Sequence, residues 1–210
     1  MRRLDYLGLL IQFVILVISL TVHEAAHAWS ANRLGDPTAR RLGRLSLNPA
    51  VHIDPIGTIL LPLVGMMSAG LILGWAKPVP VNPANLGRDW RQKFMLIAAA
   101  GPASNLLIAV LVAIALQAFT FGSPFETSGR GVNVLFAAIQ LNVVLAVFNM
   151  VPVPPLDGGN VLLGLLPRHL AEPFEQIRPY GFLIVVGLAA TGYLWLFIEP
   201  ISSALVSLLI

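Results

Sequence analysis

The stretch LGLLIQFVILVISLTVHEAAHA, residues 7–28, decides how the chain is read, because it sets two histidines and a glutamate inside an apolar run rather than after it. Leu7 to Val22 carries no charge, and with the residues that follow it is long enough for a membrane-spanning helix. On a helix, His23 and His27 stand four apart on one face, so both rings can reach one metal ion, by default zinc. Glu24 follows the first histidine and can hold a water there, taking its proton as the water attacks a carbonyl. The same five-residue pattern also arises by chance in soluble proteins. Here the setting gives it weight, since desolvating these groups beside lipid is costly unless a function retains them.

Composition supports that setting. Of 210 residues, 57% are hydrophobic and 11% charged, and the mean hydropathy is +0.81. These values describe a polytopic membrane protein embedded in a lipid bilayer. There is no cysteine, so disulfides and thiolate ligands are excluded and any zinc is held by His, Asp or Glu. The net charge of +3 comes from short connecting segments without interleaved aromatics, which argues against a nucleic-acid partner. Met1-Arg2-Arg3 before an apolar run also fits a signal peptide. The length of the run and the further apolar spans favour a retained helix. No repeat or soluble-domain-sized stretch is visible, so the expectation is a single domain over 1–210.

The expected fold is an α-helical polytopic membrane protein with about four transmembrane helices, at about 5–33, 94–121, 132–150 and 180–198. The first should stop at Gly35-Asp36-Pro37 and the last at Glu199-Pro200. Residues 38–54, basic and turn-rich, read as a small membrane-associated β-hairpin. The apolar segment 56–74 is long enough to span or to enter and return. Lys77-Pro78-Val79-Pro80-Val81 cannot be helix and reads as an edge strand.

Val151-Pro152-Val153-Pro154-Pro155-Leu156-Asp157-Gly158-Gly159 ends the third span. Non-helical backbone at membrane depth is tolerated only inside protein or along a wet cavity, so this break marks a site. If 56–74 crossed fully, Asp157 would arrive on the face opposite His23 and His27. If it re-enters, all three meet, and 33–93, with eight basic and three acidic residues, lies on one side, which the positive-inside tendency makes cytoplasmic. Arg2 and Arg3 are then left outside. A catalytic zinc takes three protein ligands and an open position. Asp157 is the best third ligand among the acidic residues, and Asp54, in the surface hairpin, is its competitor.

His23-Glu24-Ala25-Ala26-His27, then Gly101-Pro102-Ala103-Ser104-Asn105, then Asn149 through Gly159 recur in order along the chain. In these motifs the chain resembles, over essentially its whole length, the site-2 protease family of intramembrane zinc metalloproteases. Residues 48–57 and the Gly74 to Val81 stretch look like its bacterial branch without PDZ or CBS modules. The resemblance implies one Zn2+ per chain on His23, His27 and Asp157, with Glu24 as base and Asn149 helping to stabilise the oxyanion. It further implies substrates that are transmembrane proteins, cut in or near their spanning helices, and a location in the plasma membrane of a bacterium with the site toward the cytoplasm.

Other readings stand beside these. Asn149 also suits a helix C-terminal cap. His52 suits either a second electrophile near the zinc or a buried pin for the hairpin. Asn105 suits a helix-packing hydrogen bond better than a catalytic role. Pro78 and Pro80 silence one edge of their strand, so Lys77, Val79 and Val81 keep donors on the other, where an unwound substrate could add. The rival function is a zinc-binding membrane protein without hydrolytic activity, a permease or inactive relative, and Glu24 discriminates the two. A second rival, a zinc peptidase beside the membrane with a downstream Glu ligand, finds no convincing glutamate.

Overall fold

The computed structural model describes residues 6–68, 74–120 and 129–210. Arg2 and Arg3, the middle of the 56–74 segment (69–73) and most of the 122–131 loop lie outside these. The described elements are α1 (Tyr6–Leu34), α2 (Thr38–Arg41), helical turns Pro49–Val51 and Pro55–Leu60, α3 (Leu61–Ser68), α4 (Pro83–Leu86), α5 (Trp90–Thr120), α6 (Arg130–Asn149), α7 (Asp157–Leu165), α8 (Arg168–Gln176), a turn Arg178–Tyr180, α9 (Gly181–Ala190) and α10 (Tyr193–Leu209). Leu7–Leu34, Trp90–Thr120 and Arg130–Asn149 are long and apolar enough to cross a membrane.

The stop of α1 is the expected one: Gly35 takes φ 112, Asp36 N–H returns to the Ala31 carbonyl at 2.9 Å, and Pro37 prevents continuation. The fourth expected span is different. Residues 168–190 and Tyr193–Leu209 form a pair bent by 77°, with the break at Gly192, where φ is 82, rather than at Glu199-Pro200. Helix α10 runs through Pro200. A proline forfeits one helical bond, and here Leu194 and Ile198 are buried against Ala109, Ala113 and Leu116 of α5 and Ile139, Val143 and Val147 of α6. That packing outweighs the lost bond.

Among the described residues there is no strand, so neither the β-hairpin nor the edge strand forms. Capping chemistry explains the first. Asn48 accepts from Ala50 N–H at 3.1 Å, and Asp54 accepts from Ile56 and Gly57 N–H at 3.0 and 2.7 Å, each just before a proline in the first helical turn. Asx caps with Pro at N1 start helical turns and leave no ladder to pair. Residues 74–82 are extended but pair with no second strand.

The ends of the 56–74 segment meet. Trp75 N–H donates to the Gly57 carbonyl at 3.1 Å and Thr58 Oγ1 donates to the Trp75 carbonyl at 2.8 Å, so its two described ends lie together. Asp36, fully buried, joins this region to the end of α1. Its carboxylate accepts from Thr38 N–H and Oγ1 at 3.1 and 2.5 Å, from Asn85 Nδ2 at 2.7 Å and from Asn82 N–H at 2.7 Å. Burial alone would raise its pKa, but the donors from Thr38, Asn85 and Asn82 outweigh that and hold it below 3.8.

Candidate metal centre

Helices α1, α5, α6 and α7 pack together, and where they meet a polar belt is buried. Ser19, Thr21, His23, Glu24, His27 and Ser30 of α1, with Asn105 of α5 and Asn142 of α6, are each no more than 8% exposed. Polar groups at that depth need partners, and following the partners builds the site.

Asn142 Nδ2 donates to the Ala138 carbonyl at 2.9 Å. Its oxygen accepts from Asn105 Nδ2 at 3.0 Å, and the Asn105 oxygen in turn meets His23 Nδ1 at 2.6 Å. The directions of the first two bonds fix the third, so His23 Nδ1 carries the hydrogen. His27 Nδ1 meets the Ile97 carbonyl at 2.7 Å, which only accepts. Both histidines therefore carry a hydrogen on Nδ1, and in the neutral, metal-binding ring Nε2 presents the lone pair.

Those lone pairs converge. The two Nε2 atoms are 3.0 Å apart, and Asp157 Oδ2 lies 3.1 Å from that of His23 and 3.3 Å from that of His27. Asp157 Oδ2 is buried with no hydrogen-bond partner. Three electron-rich atoms around one point repel unless a cation lies among them. For tetrahedral zinc with bonds of about 2.0–2.1 Å, ligand atoms stand about 3.3 Å apart. The triangle has that size, so the donor set fits zinc. One oxygen of Glu24 lies within 4.8 Å of ligand atoms of both histidines, and its Oε2 accepts from Val79 N–H at 2.9 Å.

Two close approaches assemble these residues. A Cβ on Gly101 would stand 2.4 Å from His27 Nε2 and 2.6 Å from His23 Nε2, so a larger residue there would fill the metal position. A Cβ on Gly158 would stand 2.2 Å from the Met150 carbonyl oxygen, so glycine lets the proline break fold back on the end of α6. That fold-back puts Asp157 in the first turn of α7, where the helix dipole favours a carboxylate. Arg91 of α5 secures the other end of α7 by donating Nη2 to the Leu163 and Leu166 carbonyls.

The remaining expected residues are engaged by partners outside the converging His23, His27 and Asp157 atoms. Asp54 is occupied as a cap. His52, 2% exposed, bonds through Nε2 to the Ser46 carbonyl at 2.8 Å, and its own carbonyl accepts from Lys77 N–H at 2.8 Å. It pins the 46–52 turn. Asn149 donates Nδ2 to its own helix at Leu145, 2.9 Å away, as a cap does. Two of the three donors of the 77–81 edge are taken: Lys77 N–H is on His52 and Val79 N–H is on Glu24. Asn142, the Ile97 carbonyl and the role of Gly101 were not foreseen. A polar Asn in the middle of an apolar span was the one available signal for the first of them.

The family model described as peptidase family M50 matches residues 122–190. YwhC of Bacillus subtilis, named as a candidate zinc metalloprotease, is 38% identical over 196 residues, 90% of this chain and 81% of that one. Rip2 of Mycolicibacterium smegmatis, named in the same way, is 32% identical over 202 residues, 93% of this chain and 74% of that one. A zinc metalloprotease of Methanocaldococcus jannaschii is 24% identical over 178 residues, 85% of this chain and 38% of that one. No solved structure matches. With zinc as the metal these relatives are named for and a donor set that fits it, the chain belongs to peptidase family M50, the site-2 protease family.

Proposed function

We propose that this protein is an intramembrane zinc metalloprotease that hydrolyses peptide bonds in or near the membrane-spanning helices of other membrane proteins. The observation that carries the reading is the convergence of the His23, His27 and Asp157 lone pairs, with the Glu24 carboxylate beside them, where α7 packs on helices apolar enough to span. When bound there by His23, His27 and Asp157, zinc supplies Lewis acidity to the reacting carbonyl and lowers the cost of deprotonating water. Glu24 takes the proton as the water oxygen bonds to the carbonyl carbon. As the carbon–nitrogen bond breaks, Glu24 passes that proton to the leaving nitrogen, giving one new carboxyl end and one new amine. Asn149 is proposed to turn its amide from Leu145 toward the developing oxyanion.

Residues 1–210 act as one catalytic domain in this reading. The charge of 33–93 supports a site toward the cytoplasmic side of a bacterial plasma membrane, and reporters inserted in 38–46 and 82–92 should then fall on that same side. An unwound substrate would lie along Lys77, Val79 and Val81 with the Val79 N–H staying on Glu24 and His52 holding the segment's near end.

Comparing the native chain with Glu24→Gln, by zinc content and by cleavage of a panel of single-span peptides in detergent, tests the reading. Zinc should remain while cleavage falls by at least ~10²-fold. Turnover near the native rate in the variant would leave a zinc-binding membrane protein without this hydrolytic chemistry.

A further inference from the structure

Between the re-entrant segment and α4, the extended residues 75–82 run along α1. Ala76 packs with Leu16 and Leu20 of α1, and Val81 packs against the cluster of Ala31, Leu86 and Ile97. Five extended steps cover about 17 Å, and the helix from Leu20 to Ala31 covers about 16 Å, so the two run side by side with little slack. Prolines at 78 and 80 fix φ and remove their own donors, leaving Val79 with the one N–H between Lys77 and Val81.

Both ends are tied. Trp75 N–H is on Gly57 and Lys77 N–H on His52. At the far end Asn82 N–H and Asn85 Nδ2 are on the buried Asp36. The single donor in the middle goes to Glu24 Oε2, at 2.9 Å.

We infer that segment 75–82 is a fixed strap whose Val79 main-chain N–H is a positioning group for Glu24. By holding Oε2 it fixes the carboxylate's orientation and leaves Oε1 to face the water whose proton is taken. The inference rests on the proposed role of Glu24 and deepens it: the general base is aimed by a backbone donor 55 positions away, and that donor is aimed in turn by Asp36 and His52.

Val79→Pro deletes the donor in a segment that is already extended and proline-flanked. Zinc content and KM should hold while kcat falls about 10-fold or more, as expected when a catalytic group loses its alignment. A raised KM with unchanged kcat would make the Val79 N–H a substrate donor, and no change in either would make the strap a plain connector; both outcomes overturn the inference. Amide exchange at Val79 provides an arm that needs neither activity nor this variant. In the native chain that amide should exchange slowly, as slowly in Glu24→Gln, and at least 10-fold faster in Glu24→Ala. Equal rates in native and Glu24→Ala would overturn the positioning role, whereas an inactive native chain with this exchange pattern would count against the protease reading alone. Asn85→Ala, which loosens the far tie, should speed exchange at Val79 and lower kcat without moving KM.

Discussion

His23 Nδ1 and the side-chain oxygen of Asn105 stand 2.6 Å apart across 82 positions of sequence. Because Asn105 is itself held by Asn142, this contact decides which ring nitrogen of His23 is bare. Replacing Asn105 by Ala should weaken zinc binding by roughly 10- to 100-fold, the usual effect of removing a ligand's orienting partner. Asn142→Ala should act in the same direction and more weakly, since it acts through Asn105. Competition with a chromophoric chelator would measure both, and native affinity in Asn105→Ala would mean that His23 is oriented by packing alone.

Gly101→Ala places a methyl group where the two Nε2 atoms converge. Overpacking by one methyl ordinarily costs about 1–3 kcal/mol. Here the collision is with ligand atoms, so zinc occupancy should drop well before the melting temperature does. Metal content read beside a melting curve separates the two effects.

Removal of His23, His27 or Asp157 should each reduce a stoichiometry of about one zinc per chain, since a three-ligand site loses its closure with any member. Asp54→Ala should keep its zinc and lose stability instead, because Asp54 caps the turn at Pro55; loss of a cap costs about 1 kcal/mol. Zinc retained in Asp157→Ala and lost in Asp54→Ala would reverse the assignment.

Asp36 gives the fold an acid limit. Its folded pKa lies below 3.8, so the unfolded chain takes up a proton first as the pH falls. The stability Asp36 contributes is therefore fully present above 3.8 and is lost as the pH drops through the lower folded value. Asp36→Asn should be less stable than native at neutral pH and should lose less on acidification through that window, as followed by melting in detergent at a series of pH values.

The meeting of His23, His27 and Asp157 was legible because each carries a local signature. Four-residue spacing puts His23 and His27 on one face, and a proline and glycine break at membrane depth singles out Asp157. The stop of α1 was legible from Gly35 and Pro37. What escaped was set by partners distant in sequence or by main-chain atoms. Nothing near position 97 announces that its carbonyl faces His27. The donors of Lys77 and Val79 looked free because their acceptors, His52 and Glu24, are remote in sequence. The hairpin reading failed through undervalued capping: Asn48-Pro49 and Asp54-Pro55 are helix-start pairs, and they overrode the strand pattern.

The two histidines differ in how chance substitution can reach them. The orienting partner of His23 is a side chain, and a single base change at the Asn105 codon can abolish it. That of His27 is the main-chain oxygen of Ile97, one turn before Pro102, which cannot donate to Ala98. No replacement at position 97 removes a carbonyl. In a random mutant library, loss of zinc through the surroundings of His23 should therefore trace to Asn105 and Asn142. Loss through the surroundings of His27 should trace to Gly101 and Pro102, where a substitution shifts the course of the helix instead of deleting a hydrogen-bonding group.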